Sequence, residues 1–217
     1  MASDIEGVYR IGSSRRTGFD YARFNTSMVS TVVGGSFISN GDNVVYLPAG
    51  ARAGDLLYMY AHSNSYGVSS AFISLGNQYG GNDYYRVLTA TDITNGSISG
   101  GTNVSGTATT YRGPKTMTRL TDLNVNGTAN ISVARSPASM AMVLTIGGSS
   151  NFSASIPNYF TSTHGYNVGT QNSNDGSFPG RLLTYVALDR NKYGFPTANF
   201  PITTNMTVSV VVYELTK

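Results

Sequence analysis

The sequence predicts an all-β protein: an antiparallel β-sandwich or jelly roll carrying an extended N-terminal arm. Three observations lead there. Apolar residues come in short runs, often alternating with polar ones, and Gly, Pro or Asn closes each run. These runs are rich in β-branched and aromatic side chains. No segment shows a convincing amphipathic-helix period.

Residues 1–35 read as an arm. Between Val8 and Gly35 lie Arg10, Arg15, Arg16 and Arg23 against a single acid, Asp20, among Tyr9, Phe19, Tyr21 and Phe24. The apolar residues there are too sparse for a strand of a packed sheet, and at most one helical turn is expected near Asp20–Phe24. The sandwich is expected over residues 36–217. Its first strand signal is Val44–Leu47, stopped by Pro48-Ala49-Gly50. Leu56–Ala61 follows Gly54-Asp55, and Tyr84–Ala90 follows Gly80-Gly81-Asn82-Asp83. Residues 94–114 are rich in Gly, Ser and Thr and predict a weakly hydrophobic strand pair or a long loop. Ile131 and Val133 follow the turn signal Asn126-Gly127. Met140, Met142, Leu144 and Ile146 alternate up to Gly147-Gly148. Residues 147–181 read as a second polar loop region. Leu182–Leu188 follows Pro179-Gly180, and Met206, Val208, Val210 and Val212 alternate near the end. The count comes to eight or so strands. The 25 glycines suit tight turns and bulges.

Composition narrows the class. At 217 residues the chain can bury a core without staples, and with no cysteine it must do so without disulfides or thiolate metal sites. Charged residues are only 12% of the chain against 40% hydrophobic, and the net charge of +3 argues for order rather than disorder. No Lys/Arg run exceeds Arg15-Arg16, so no nucleic-acid partner is expected. No apolar stretch is long enough for a membrane helix, so no membrane insertion is expected either. No secretory signal stands in the first thirty residues, and Met1 reads as the start of an unprocessed chain.

The segment Leu47-Pro48-Ala49-Gly50-Ala51-Arg52-Ala53-Gly54-Asp55-Leu56-Leu57 resembles the P-x-G-x-x-A-G-D-L-L stretch of tailed-phage virion structural proteins, of head-decoration or tail-fibre type. In those proteins a strand such as Tyr58–Ala61 follows, and a later segment resembling Tyr84–Ala90 belongs to the same pattern. The likeness spans residues 44–93. Members often carry a tryptophan in the loop after the strand; this chain has none, and Phe72 stands in its place. The chemistry of the motif is structural. Pro and Gly turn the chain, Asp55 can accept backbone amides at the turn, and Leu56 and Leu57 face opposite sides of the sheet. The resemblance implies a virion setting, with assembly in the host cytoplasm, and transfers no catalytic residue.

Candidate chemistry is sparse. The histidines are His62, at a strand end, and His164, in a polar loop, and no G-x-S-x-G elbow accompanies them. Asp42, Asp55, Asp83, Asp92 and Asp175 each neighbour Gly, Asn or another turn signal, so turn chemistry accounts for them better than a glycosidase pair. Asn172, Asn174 and Asp175 before Gly176 lack the distant Glu of an EF-hand loop. No catalytic residue, metal or cofactor is expected. Tyr58 and Tyr60 are expected to pack on one sheet face, with Tyr84 and Tyr85 straddling a neighbouring strand. Tyr66 and Tyr79, in loop context, are the candidates for contact with a host surface glycan. Tyr9, Arg10, Arg15, Arg16, Phe19, Tyr21, Arg23 and Phe24 form the expected partner-binding face of the arm, because Arg and aromatics are favoured at interfaces. The expected partners are other virion proteins of the capsid or tail, together with further copies of the chain, trimers especially. The alternative function is a free carbohydrate-binding sandwich module.

Overall fold

A computed structural model of the chain describes residues 31–38, 43–62, 67–78, 81–102, 104, 106–147, 154–155, 165–173, 182–190 and 196–217. It bears out the all-β antiparallel class. The strands are β1 (Thr31–Ile38), β2 (Val44–Tyr46), β3 (Leu56–His62), β4 (Ile73–Gln78), β5 (Gly81–Val87), β6 (Ser97–Ser99), β7 (Gly106–Arg112), β8 (Thr116–Ala134), β9 (Ser139–Gly147), β10 (Ala154–Ser155), β11 (Gly165–Ser173), β12 (Leu182–Arg190) and β13 (Thr197–Thr216). One short helix, α1 (Ala90–Asn95), lies between β5 and β6.

Two sheets face each other. The first has the order β1-β7-β3-β5-β4, and the second the order β10-β13-β9-β12-β11 with β8 added on β13. A small pair, β2 with β6, stands apart. Contacts of β4 with β8 and of β1 with β11 show how the flanks align: β4 and β8 share one side of the sandwich, and β1 and β11 the other. Between the sheets pack Leu56, Tyr58 and Tyr60 of β3, Tyr111 of β7, Ala141 and Val143 of β9, and Val211, Tyr213 and Leu215 of β13. Tyr58 and Tyr60 thus share one face, as their spacing of two requires.

Both outer faces are also covered. Leu57, Met59 and Ala61 point away from the second sheet and meet Val45, Phe72, Leu88, Ile98 and Val104. This second burial explains why Leu56 and Leu57 are both apolar: each faces its own core. Tyr84 joins the outer core while Tyr85 packs against the inner one. On the far side of the second sheet, Met142, Leu144, Ile146, Val210 and Val212 pack with Ile131, Ala198, Phe200 and Ile202 from the other ends of β8 and β13. β8 and β13 therefore form one long ribbon whose distal half contributes to the outer core of the sheet its proximal half belongs to.

Several local expectations change. Residues 31–35, expected in the arm, are the first part of β1, because β7 completes their backbone hydrogen bonds despite the sparse apolar side chains. Asn126-Gly127 is not a turn between strands but lies inside β8, where pairing with β13 breaks between Thr204 and Val208. Gly127 sits there at φ +79°, a left-handed conformation open to glycine at little cost. The Gly/Ser/Thr-rich stretch 94–114 supplies β6 and the fully sheeted β7, which pairs with both β1 and β3. The polar region 147–181 contains β10 and β11, with Asn172 inside β11.

Candidate functional site

The segment Pro48–Leu57 is a lock between three strands. The Ala51 amide donates to the Pro48 carbonyl at 3.0 Å, and the Asp55 amide to the Arg52 carbonyl at 3.0 Å. The Asp55 carboxylate accepts the Arg52 amide at 2.9 Å. It also takes both arms of Arg112, at 3.2 and 3.0 Å, and Arg112 donates again to the Gly50 carbonyl at 2.6 Å. Gly54 and Asp55 exchange backbone bonds with Leu88, and Lys115 donates to the Gly54 carbonyl. The start of β3, the end of β5 and the end of β7 are held together at this point. A planar guanidinium against a carboxylate gives that joint its direction.

Asp83 departs from the turn chemistry expected of it. It lies in β5, is 0% exposed, and accepts the hydroxyls of Tyr58 at 2.6 Å and of Tyr213 from the opposite sheet. Burial pushes the Asp83 carboxyl up to about 6, against the two tyrosine hydrogen bonds, which hold it down, as does the nearby Arg119 charge. The same burial and the Asp83 charge push both tyrosine hydroxyls well above their ordinary range. The Tyr58 and Tyr213 rings lie 5.7 Å apart, tilted by 49°. The carboxyl is fully buried between the sheets, and its bonds to Tyr58 of β3 and Tyr213 of β13 tie one sheet to the other.

The outer core carries a third polar joint. Thr89 and Asp92 form a reciprocal capping box at the start of α1. Asp92 also takes Arg86 at 2.7 Å, and the Arg86 guanidinium lies 5.7 Å from the centre of the Phe72 ring. Phe72 is itself buried in the outer core.

The open surface is elsewhere. β8 pairs only with β13, so its second backbone edge has no strand partner among the described residues. A cleft of about 580 Å³ follows that strand, lined by Leu123, Val125, Ala129, Ile131 and Val133 with intervening Asn, Ser and Thr. Leu123 is 41% exposed and Leu120 38%. The outward positions of the ribbon are uncharged and polar over its distal half, and Thr128 of β8 bonds Thr203 of β13 across it at 3.1 Å. Arg119 and Asp122 pair at 2.5 Å near the proximal end.

The arm residues Tyr9, Arg10, Arg15, Arg16, Phe19, Tyr21, Arg23 and Phe24 lie outside the described residues, as do Tyr66, Tyr79, His164, Asn174 and Asp175. His62 ends β3 opposite Gly81. No group of three or more His, Cys, Asp or Glu side chains able to hold a metal occurs among the described residues. Neither Asp83 nor the Arg112–Asp55 joint had a sequence signal as a site, because their partners stand 25 to 130 positions away.

No family model matches the chain. No curated protein matches it either. Among solved structures, the chain is similar to a BuGH86 variant in complex with neoagarooctaose, at 10% identity and a TM-score of 0.25. That alignment takes in 85% of this chain and 34% of the other, so the chain spans about a third of that structure's length.

Proposed function

We propose that this chain is a non-enzymatic structural protein of a tailed-phage particle, anchored through the N-terminal arm that precedes Thr31 and displaying its sandwich on the particle surface, as a capsid decoration protein or a tail-associated adhesin. The observation that supports this most is the use made of Pro48–Leu57. The Asp55 carboxylate and the backbone groups of Pro48, Gly50, Ala51, Arg52, Gly54 and Asp55 are bound within the fold, to one another and to Leu88, Arg112 and Lys115. The segment that resembles the virion stretch therefore serves an architectural purpose, which supports a building role over a catalytic one. The accessible features, a polar ribbon and a bare strand edge, are suited to contact with other macromolecules.

The test is binding of the purified chain to tailed-phage particles assembled without it. The full chain is expected to bind, and a chain with Arg10, Arg15, Arg16 and Arg23 all replaced by alanine is expected to fold and not bind. Failure of the full chain to bind, with retention of a glycan on an array, would replace this reading by the free carbohydrate-binding module.

A further inference from the structure

Among the described residues, the second backbone edge of β8 has no strand partner. Over Gly127–Ala134 it runs in unbroken antiparallel register with Thr204–Thr197, so its backbone is regular on the side that can be seen paired. From Leu123 to Ala134 it carries no charged residue and no proline. Exposed edges of single-copy β-proteins are ordinarily blunted by one of those devices. Beneath the edge lies the cleft lined by Leu123, Ala129 and Val133, which can take alternate side chains of an added strand.

Two features identify the occupant. At least thirty residues precede Thr31, enough to reach roughly 100 Å when extended. They enter the fold at β1, which is the edge of the first sheet beside β11, whereas β8 lies on the flank of β4. The arm and the bare edge therefore stand on opposite sides of one molecule. Arm on one flank and acceptor on the other is a head-to-tail arrangement, which links copies in series, as a ring where the rotation between copies closes and as a filament where it does not. Phe19 and Tyr21 are two apart, so an extended arm puts both rings on one side, where the cleft lining is apolar.

We infer that the segment preceding Thr31 of one copy adds as a strand along Gly127–Ala134 of the next, so that copies are linked head to tail by strand addition. This deepens the virion reading by naming an arm contact between copies.

The absence of native cysteine allows a direct test on the full chain. Chains carrying Asn130→Cys are co-expressed with chains carrying Asp20→Cys, Ala22→Cys or Thr26→Cys, and mild oxidation is followed by peptide mapping. The expected result is conversion of up to about half of the protein, the most that random mixing of two equally expressed chains allows, to a covalent dimer linking position 130 of one copy to the arm of another, in at least one register. Two results overturn the inference: links only between two copies of position 130, or no link in any register. Particle binding is scored separately. Binding without arm links would leave the virion reading standing and remove only the strand addition between copies, and arm links without particle binding would do the reverse.

Discussion

Asp83 shows what a single buried acid does to the pH behaviour of the whole protein. Its carboxyl titrates near 6 in the fold, against an ordinary value of 3.8, because burial disfavours the charge. The fold therefore holds this proton more tightly than the unfolded chain does. Its stabilising contribution is complete below about pH 3.8, declines as the pH rises, and is lost above about 6. The distance between those values corresponds to on the order of 3 kcal/mol. The groups around it are Tyr58 of β3, Tyr213 of β13, and Arg119 and Asp122 of β8. Unfolding free energies of the parent and of Asp83→Asn are expected to diverge between pH 3.5 and 7.5, the parent losing ground to the variant as the pH rises. A difference that stays constant across that range would refute the assignment. Sequence reading placed Asp83 at a turn because Gly80, Gly81 and Asn82 precede it. The same Gly-rich signal in fact starts β5, and nothing local to it announces that Tyr213 will arrive from 130 positions away.

At the scale of elements, legibility followed apolar content. β3, β9 and the second half of β13 were readable because each is buried on both faces or alternates strictly. β4, β7 and β11 were obscured, since Ile73–Gln78, Gly106–Arg112 and Gly165–Ser173 are mostly Gly, Ser, Thr, Asn and Gln. They become strands because neighbours complete their hydrogen bonds, which local composition cannot announce. α1 was hidden for another reason. Six residues are too few to show a helical period, although the Thr89–Asp92 spacing does fit a capping box. The ribbon β8–β13 gives the sharpest local prediction. A Cβ at Gly127 would meet nothing within 4 Å, so any cost of substitution there comes from its left-handed backbone alone. Gly127→Ala is expected to cost about 1–2 kcal/mol, and Gly127→Asn distinctly less, because asparagine visits that conformation more readily. Chemical denaturation of the two variants decides it; equal costs would mean the strand does not bend through that residue.

The molecule as a whole is a layered stack in which both sheets are covered on their outer faces and a tyrosine-rich layer lies between them. The all-β class and the main core residues could be read from the chain, whereas the open β8 edge could not, because which strands end up without a second partner is a property of the assembled order. That order also has a consequence for synthesis. Ser209–Thr216 lies between β8 and β9 and supplies hydrogen bonds to both. A growing chain must therefore keep Met140–Ile146 and the Tyr58 face waiting until residues near the end have left the ribosome. Long-range pairing of this kind folds slowly and leaves strand edges bare meanwhile. Nascent chains stalled with residue 200 as the last one outside the exit tunnel are expected to be protease-sensitive, and those with residue 217 outside to be resistant. Resistance at the earlier point would mean that the first sheet and its covering layer stand without the second. If the timing is as expected, the cell meets this protein first as a set of unpaired strands, and the window before closure is when a chaperone or a second nascent copy would find it.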